Sequence, residues 1–183
     1  MALQAEALVE EWLSKNGYFT IRGIKDKLDE ISFLAVRYHE ETGWQYVHCE
    51  VQVSVRPVTY ISKLTKSQME KLGVKSKTSS KLRNSDSLKT SVKAWTEIKF
   101  TSDKKRKIRE SLVPGVEWEY WFVHGKVKDE NELEHIQNSS VKLIPIQTVL
   151  DELIKNDTAL SYGTSSAREL VDLIKLLNQS PSE

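Results

Sequence analysis

Two acids occupy neighbouring stretches of apolar, β-forming sequence. Glu50 lies inside Val47-His48-Cys49-Glu50-Val51-Gln52-Val53, and Glu30 opens Ile31-Ser32-Phe33-Leu34-Ala35-Val36. Strand alternation puts His48, Glu50 and Gln52 on one face, and Glu30 and Ser32 on one face of the preceding strand. Glu6 and Glu10 lie four apart, on one side of a helix. Oxygen ligands converging from two adjacent strands are a simple way to hold Mg2+ or Mn2+. Metal-assisted phosphodiester hydrolysis adds a polar or cationic group that places the attacking water. An ionised side chain inside an apolar strand is costly unless it is paired or functional, which makes Glu50 the leading candidate. His48 shares its face, although a lone histidine is more often a hydrogen-bonded core residue than a catalyst. Cys49 points to the opposite face and reads as a small core residue.

These strands need a frame. Leu3, Ala7, Leu8, Trp12 and Leu13 recur at helical spacing, predicting a helix over 3–15 that Asn16-Gly17 stops. Residues 18–22 predict a short strand, 28–38 a nearly continuous apolar strand, and 44–55 a long alternating one. The last two are expected to form a hairpin through Glu40-Glu41-Thr42-Gly43. Residues 62–86 carry few apolar anchors, and 75–81 reads as a mobile loop. A second helix is expected from Asp86 or Ser87, with Leu88, Val92, Trp95 and Ile98 as its buried stripe and Pro114-Gly115 as its stop. Strands are expected at 116–123 and 141–144, with room for a short helix between them. A helix opened by Pro145 runs to about 155, and a last one from the capping box Ser166–Glu169 to 177. Trp95, Trp118 and Trp121 follow helix and strand periods, as core residues do. The order predicts one α/β domain over 1–183, a mixed sheet with helices on both faces, a basic loop and helix segment at about 62–112, and a helical part at about 145–178.

The stretches Ala5-Glu6, Trp12-Leu13, Asn16-Gly17-Tyr18-Phe19, Glu30 to Val36, and His48-Cys49-Glu50-Val51-Gln52-Val53-Ser54 together resemble the core of the PD-(D/E)XK nuclease superfamily. Archaeal Holliday-junction resolvases and many restriction enzymes belong to it. The resemblance covers 1–55, and 88–123 by order of elements. It implies a restriction endonuclease-like sheet with an α-β-β-β-α-β core. In the family the second strand carries a metal-binding aspartate, the third an acid-x-lysine pair and the first helix a glutamate. On that pattern Glu50 is a metal ligand, Gln52 stands at the lysine's place and would orient water, and Glu6 is the helix glutamate. Ser32 stands where the aspartate is expected, and a neutral hydroxyl is a poor ligand for a hard cation. Glu30, two residues away on the same face, would then complete the Mg2+ or Mn2+ site.

The net charge of +1 hides an asymmetry. From Lys63 to Arg109 there are fifteen Lys and Arg against four acids, a balance of +11, leaving −10 on the remainder. A phosphate-facing segment has this form, as does a solvated lysine-rich surface. Arg56, Lys63 and Lys66 directly follow the third strand, and Lys104-Lys105-Arg106-Lys107 form a cluster; these are the expected phosphate contacts. Three functions fit: a divalent-metal-dependent DNA endonuclease, a catalytically degenerate DNA-binding module, and a partner-binding subunit or homodimer within a defence or repair complex. One cysteine excludes a disulfide framework and a zinc site built on paired thiolates. No apolar run approaches the roughly 20 residues of a membrane span, and no secretory signal is visible at the start. A cytoplasmic location is the expectation.

Overall fold

Three consecutive β-forming segments separated by tight turns favour antiparallel pairing, whereas the long basic stretch that follows them favours a crossover. The computed structural model, which describes residues 2–26 and 29–155 together with 169 and 172, has this arrangement. Helix α1 (Ala2–Lys15) precedes strands β1 (Phe19–Asp26), β2 (Asp29–His39) and β3 (Gly43–Gln52). After them come helices α2 (Lys66–Leu72), α3 (Ser85–Thr96) and α4 (Asp103–Leu112), then strand β4 (Glu119–His124), helix α5 (Glu130–Gln137), strand β5 (Val141–Pro145) and helix α6 (Ile146–Lys155). The five strands form one sheet in sequence order. Strands β1, β2 and β3 are antiparallel neighbours, while β3, β4 and β5 run parallel. The fold is therefore α/β, a mixed sheet flanked by helices, with the expected α-β-β-β-α-β order. The helix expected over 166–177 lies, apart from residues 169 and 172, outside the described residues.

The two faces of the sheet bury different cores. Helices α1 and α6 cover the face carrying Phe33, Ala35, Val47, Cys49, Trp121 and Val123. Helices α3 and α5 cover the other, where Trp95, Phe100, Phe122, Ile136 and Val141 pack. Helix α1 ends as its sequence predicts. Gly17 takes the left-handed conformation at φ 81°, and the amides of Gly17 and Tyr18 bond back to Ser14 and Leu13.

Two expectations about the basic segment need correction. Residues 62–86 contain helix α2, whose N-cap Thr65 and Gln68 bond reciprocally and whose end is turned by Gly73 at φ 63°. The segment 75–81 is a loop, as expected, along which Leu64 N–H bonds the Lys77 carbonyl at 2.8 Å and Lys81 Nζ bonds the Leu72 carbonyl at 2.6 Å. The second correction concerns residues 85–112. They form two helices joined by a π-helical turn at Glu97–Thr101, where the Ser102 amide reaches back to the Glu97 carbonyl. This wide turn moves the apolar stripe from Trp95 to Phe100, five residues on, and their rings meet at 5.7 Å. Ile98, expected in the stripe, is instead 63% exposed.

Candidate functional site

Alternation along β3 aims His48 and Glu50 at the side of the sheet covered by α3 and α4, and both are fully enclosed. The π-turn and α4 deliver the partners. Lys99 Nζ bonds Glu50 Oε2 at 3.0 Å, and Lys105 Nζ bonds Glu50 Oε1 at 3.1 Å. The Lys105 ammonium also donates to the backbone carbonyl of Glu30. His48 Nε2 lies 3.1 Å from Glu50 Oε1, and Arg109 Nη1 lies 2.9 Å from His48 Nδ1. The same guanidinium donates to the Phe100 carbonyl at 2.7 Å and to the Tyr120 hydroxyl at 3.3 Å. A guanidinium has only donors, so Nδ1 of His48 must accept, and Nε2 carries the proton it gives to Glu50.

The electrostatics follow from that geometry. Burial keeps His48 neutral: its pKa falls to about 4, with Arg109 and Lys105 adding to the effect and Glu50 opposing it. Burial alone would raise the Glu50 pKa. The hydrogen bond from His48 and the charges of Lys99 and Lys105 outweigh it and hold the carboxyl below its ordinary value. Glu50 thus faces Lys99 and Lys105, and Arg109 stands behind His48, so the cluster holds three cations and one carboxylate.

The residues around Glu50 do not fit a hard divalent cation, which needs several oxygen ligands. Both Glu50 oxygens are held by ammonium groups. The Ser32 hydroxyl accepts the Val51 amide at 3.3 Å and so closes the β2–β3 pairing. The Glu30 carboxylate turns to Lys25, 3.7 Å away. Glu6 pairs with Arg22 at 3.4 Å and Glu10 with the same guanidinium at 3.1 Å. Helix α1 lies on the Cys49 face of the sheet, so Glu6 is separated from Glu50 by the sheet itself. Among the described residues, no three His, Cys, Asp or Glu side chains are grouped to hold a metal ion.

Gln52, two residues past Glu50, leaves the cluster and lines a pocket of about 410 Å3. Lys63, Lys66, Lys77 and Lys99 surround this pocket, and Ile61, Leu64, Trp95 and Ile98 provide its apolar surface. Lys99 thus belongs to both the pocket and the Glu50 cluster. The far wall is pinned by a second buried carboxylate. Glu132 of α5 accepts the amides of Ile61 at 2.6 Å and Ser62 at 2.8 Å, together with the Ser62 hydroxyl. Arg83 donates to the Ser62 carbonyl at 2.9 Å, and its guanidinium stacks 3.9 Å from the centre of the Tyr60 ring. Burial raises the Glu132 pKa even though Ser62, the Ile61 amide and Arg83 favour the charged form. Gln68 of α2 bonds Ser87 and Ser91, which fixes α2 against α3.

The expected phosphate contacts are divided by the fold. Lys63 and Lys66 meet at the pocket with Gln52, and Arg56 is exposed in the chain that follows β3. Lys104, Arg106 and Lys107 face outward on α4, where Arg106 pairs with Asp103 at 2.8 Å. Lys105 is a correction. It is 3% exposed and committed to Glu50, because the helical period turns the second residue of the four-residue basic cluster inward. Arg83 and Arg109 are buried as well, so the charge count of the segment overstates the cations that face solvent.

Sequence reasoning did not assign Lys99, Arg109, Lys77 or Glu132 a role. Lys105 and Arg109 stand four apart, the spacing of one helix face, and that was the available signal.

No family model matches the chain, and no curated protein matches it. Among solved structures, the crystal structure of a protein of unknown function, AF1548, is similar over 96% of this chain and 79% of that one, at 15% identity and a TM-score of 0.48. No helix among the described residues is long and apolar enough to cross a membrane.

Proposed function

We propose that this chain is a nucleic-acid-binding domain of the PD-(D/E)XK type, in which the third-strand acid has become the centre of a cationic cluster and the domain holds DNA without cutting it. One observation carries the reading: both oxygens of Glu50 are occupied by the ammonium groups of Lys99 and Lys105. A divalent ion approaching this carboxylate meets two like charges and lacks the aspartate that the family provides. The exposed Lys63, Lys66, Lys104 and Lys107 suit a phosphate backbone.

The test is a salt series of duplex and single-stranded DNA affinity, run in Mg2+, in Mn2+ and in chelator. A steep fall with salt, no change on chelation and no cleavage in any buffer support the reading. Metal-dependent cleavage that Glu50→Gln abolishes would overturn it in favour of an active endonuclease.

A second reading, compatible with the first, is that the chain is also a subunit of an assembly. Phe19, Ile21, Tyr38 and Trp44 share the sheet face that carries His48, and all four are exposed. A contiguous apolar surface of this kind is uncommon on a monomer. Sedimentation of the purified chain, alone and with its co-purifying proteins, checks it.

A further inference from the structure

The lysine-lined pocket beside the Glu50 cluster has a composition that a continuous DNA backbone does not require. Four lysines line it with no acid among the lining residues, and its apolar surface includes Trp95 and the outward-turned Ile98. Its volume of about 410 Å3 falls within the range of roughly 300–1,000 Å3 usual for small-ligand sites. We infer that this pocket binds a single nucleotide through a terminal phosphate monoester, with the base against the Trp95–Ile98 surface and the phosphate among Lys63, Lys66 and Lys77.

Charge distinguishes a monoester from a backbone diester. A diester brings one negative charge, whereas a phosphate monoester carries about −1.5 to −2 near pH 7. Lys99 is already paired with Glu50, so three lysines remain for the ligand, more than one diester charge would use. The apolar surface adds a place for a planar base, which supplies sequence-tolerant packing energy. Gln52 contributes an amide that can donate or accept at the rim.

The walls are built before any ligand arrives. The Leu64–Lys77 backbone bond ties Lys77 to the Lys63–Leu64 backbone, the Thr65–Gln68 capping box sets Lys66, and Glu132 with Arg83 fixes Ile61 and Ser62. The backbone of each wall is therefore held, and only the lysine side chains adjust on binding, which lowers the cost of ordering. The shared chemistry, a nucleotide bearing a phosphate monoester, has two sources: a free mononucleotide or the phosphorylated end of a strand. The strand-end case rests on the nucleic-acid-binding reading above. The free-nucleotide case does not.

The experiment measures affinity for four probes on the intact chain by calorimetry and fluorescence anisotropy. They are adenosine monophosphate, inorganic phosphate, and one single-stranded oligonucleotide with and without a 5′-phosphate. Adenosine monophosphate should bind about ten-fold or more tightly than inorganic phosphate, and the phosphorylated strand about ten-fold or more tightly than its unphosphorylated form. The double variant Lys63→Gln/Lys77→Gln should remove both preferences at an unchanged melting temperature. Ile98→Asp, at an exposed position, should do the same by placing a like charge on the pocket surface. Equal binding of the two strands with no binding of adenosine monophosphate would overturn the inference and leave nucleic-acid binding standing. Adenosine monophosphate binding without any strand binding would support the pocket and overturn the nucleic-acid reading. Inorganic phosphate binding as tightly as adenosine monophosphate would overturn the role given to the base.

Discussion

Arg109 donates to Nδ1 of His48 at 2.9 Å and thereby decides which nitrogen of the ring carries the proton facing Glu50. Protonating His48 would place a donor against a donor at that contact. The ring is therefore expected to resist acid until the cluster breaks. Its folded pKa of about 4 lies below the ordinary 6.5, so the unfolded chain binds the proton first as pH falls. Stability is expected to be lost between pH 6.5 and about 4, by about 3 kcal/mol. Glu50, held below its ordinary value, adds a further loss below pH 4.5. Glu132, held above its ordinary value, has the opposite sign: its contribution is present in acid and is lost as pH rises through its folded value. Urea titrations across this range should show the slope, and His48→Gln should flatten the part between 6.5 and 4.

The two sides of the buried pairing should not contribute additively to stability. Lys105→Met leaves Glu50 with Lys99 and an uncapped Glu30 carbonyl, and a loss of about 3–5 kcal/mol is expected. Glu50→Gln leaves the enclosed Lys105 ammonium without its counter-charge, with a loss of similar size. The double variant should lose clearly less than the two single losses added together, and a denaturant-based double-mutant cycle measures the difference.

Glu132→Ala should act locally as well as globally. Three donors, the Ile61 and Ser62 amides and the Ser62 hydroxyl, lose their acceptor inside the protein. A loss of about 3 kcal/mol is expected from unsatisfied buried donors. Hydrogen exchange should accelerate at Ile61 and Ser62 before it does along β3.

The exposed and buried lysines should separate in a salt series on DNA. Replacing Lys63 or Lys66 by Ala should lower the slope of log affinity against log salt by about one each. Lys105→Met should leave that slope nearly unchanged at any temperature where the variant is folded, because its ammonium is committed to Glu50. A full unit of slope lost in Lys105→Met would contradict the buried assignment.

Glu50 was legible as a candidate because an ionised side chain inside the apolar stretch Val47 to Val53 is costly unless it is paired or functional. Its partners were not. Lys99, Lys105 and Arg109 are three of fifteen basic residues in their segment, and only the three-dimensional path turns them inward. Ile98 was placed in the buried stripe because a regular helical period runs through Leu88, Val92 and Trp95, and no sequence rule marks where that period widens. Helix α2 did leave a signature, Thr65 and Gln68 three apart with Gly73 beyond, but its polar surface obscured the period. Glu132 sits among acids from Asp129 to Glu134, and nothing in their spacing separates the buried one from its solvated neighbours.

The π-turn at Glu97–Thr101 holds one residue more than an α-helical turn of the same span. Deleting a single codon ahead of Lys99 would turn Lys99 and Phe100 by about 100° relative to the packed body of α3, before the extended backbone of Ser102 (ψ 150°) starts α4 afresh. Lys99 and Lys105 would then no longer address the same carboxylate. Insertion or loss of one amino acid is thus a small genetic step between a Glu50 closed by two cations and a Glu50 with an open side.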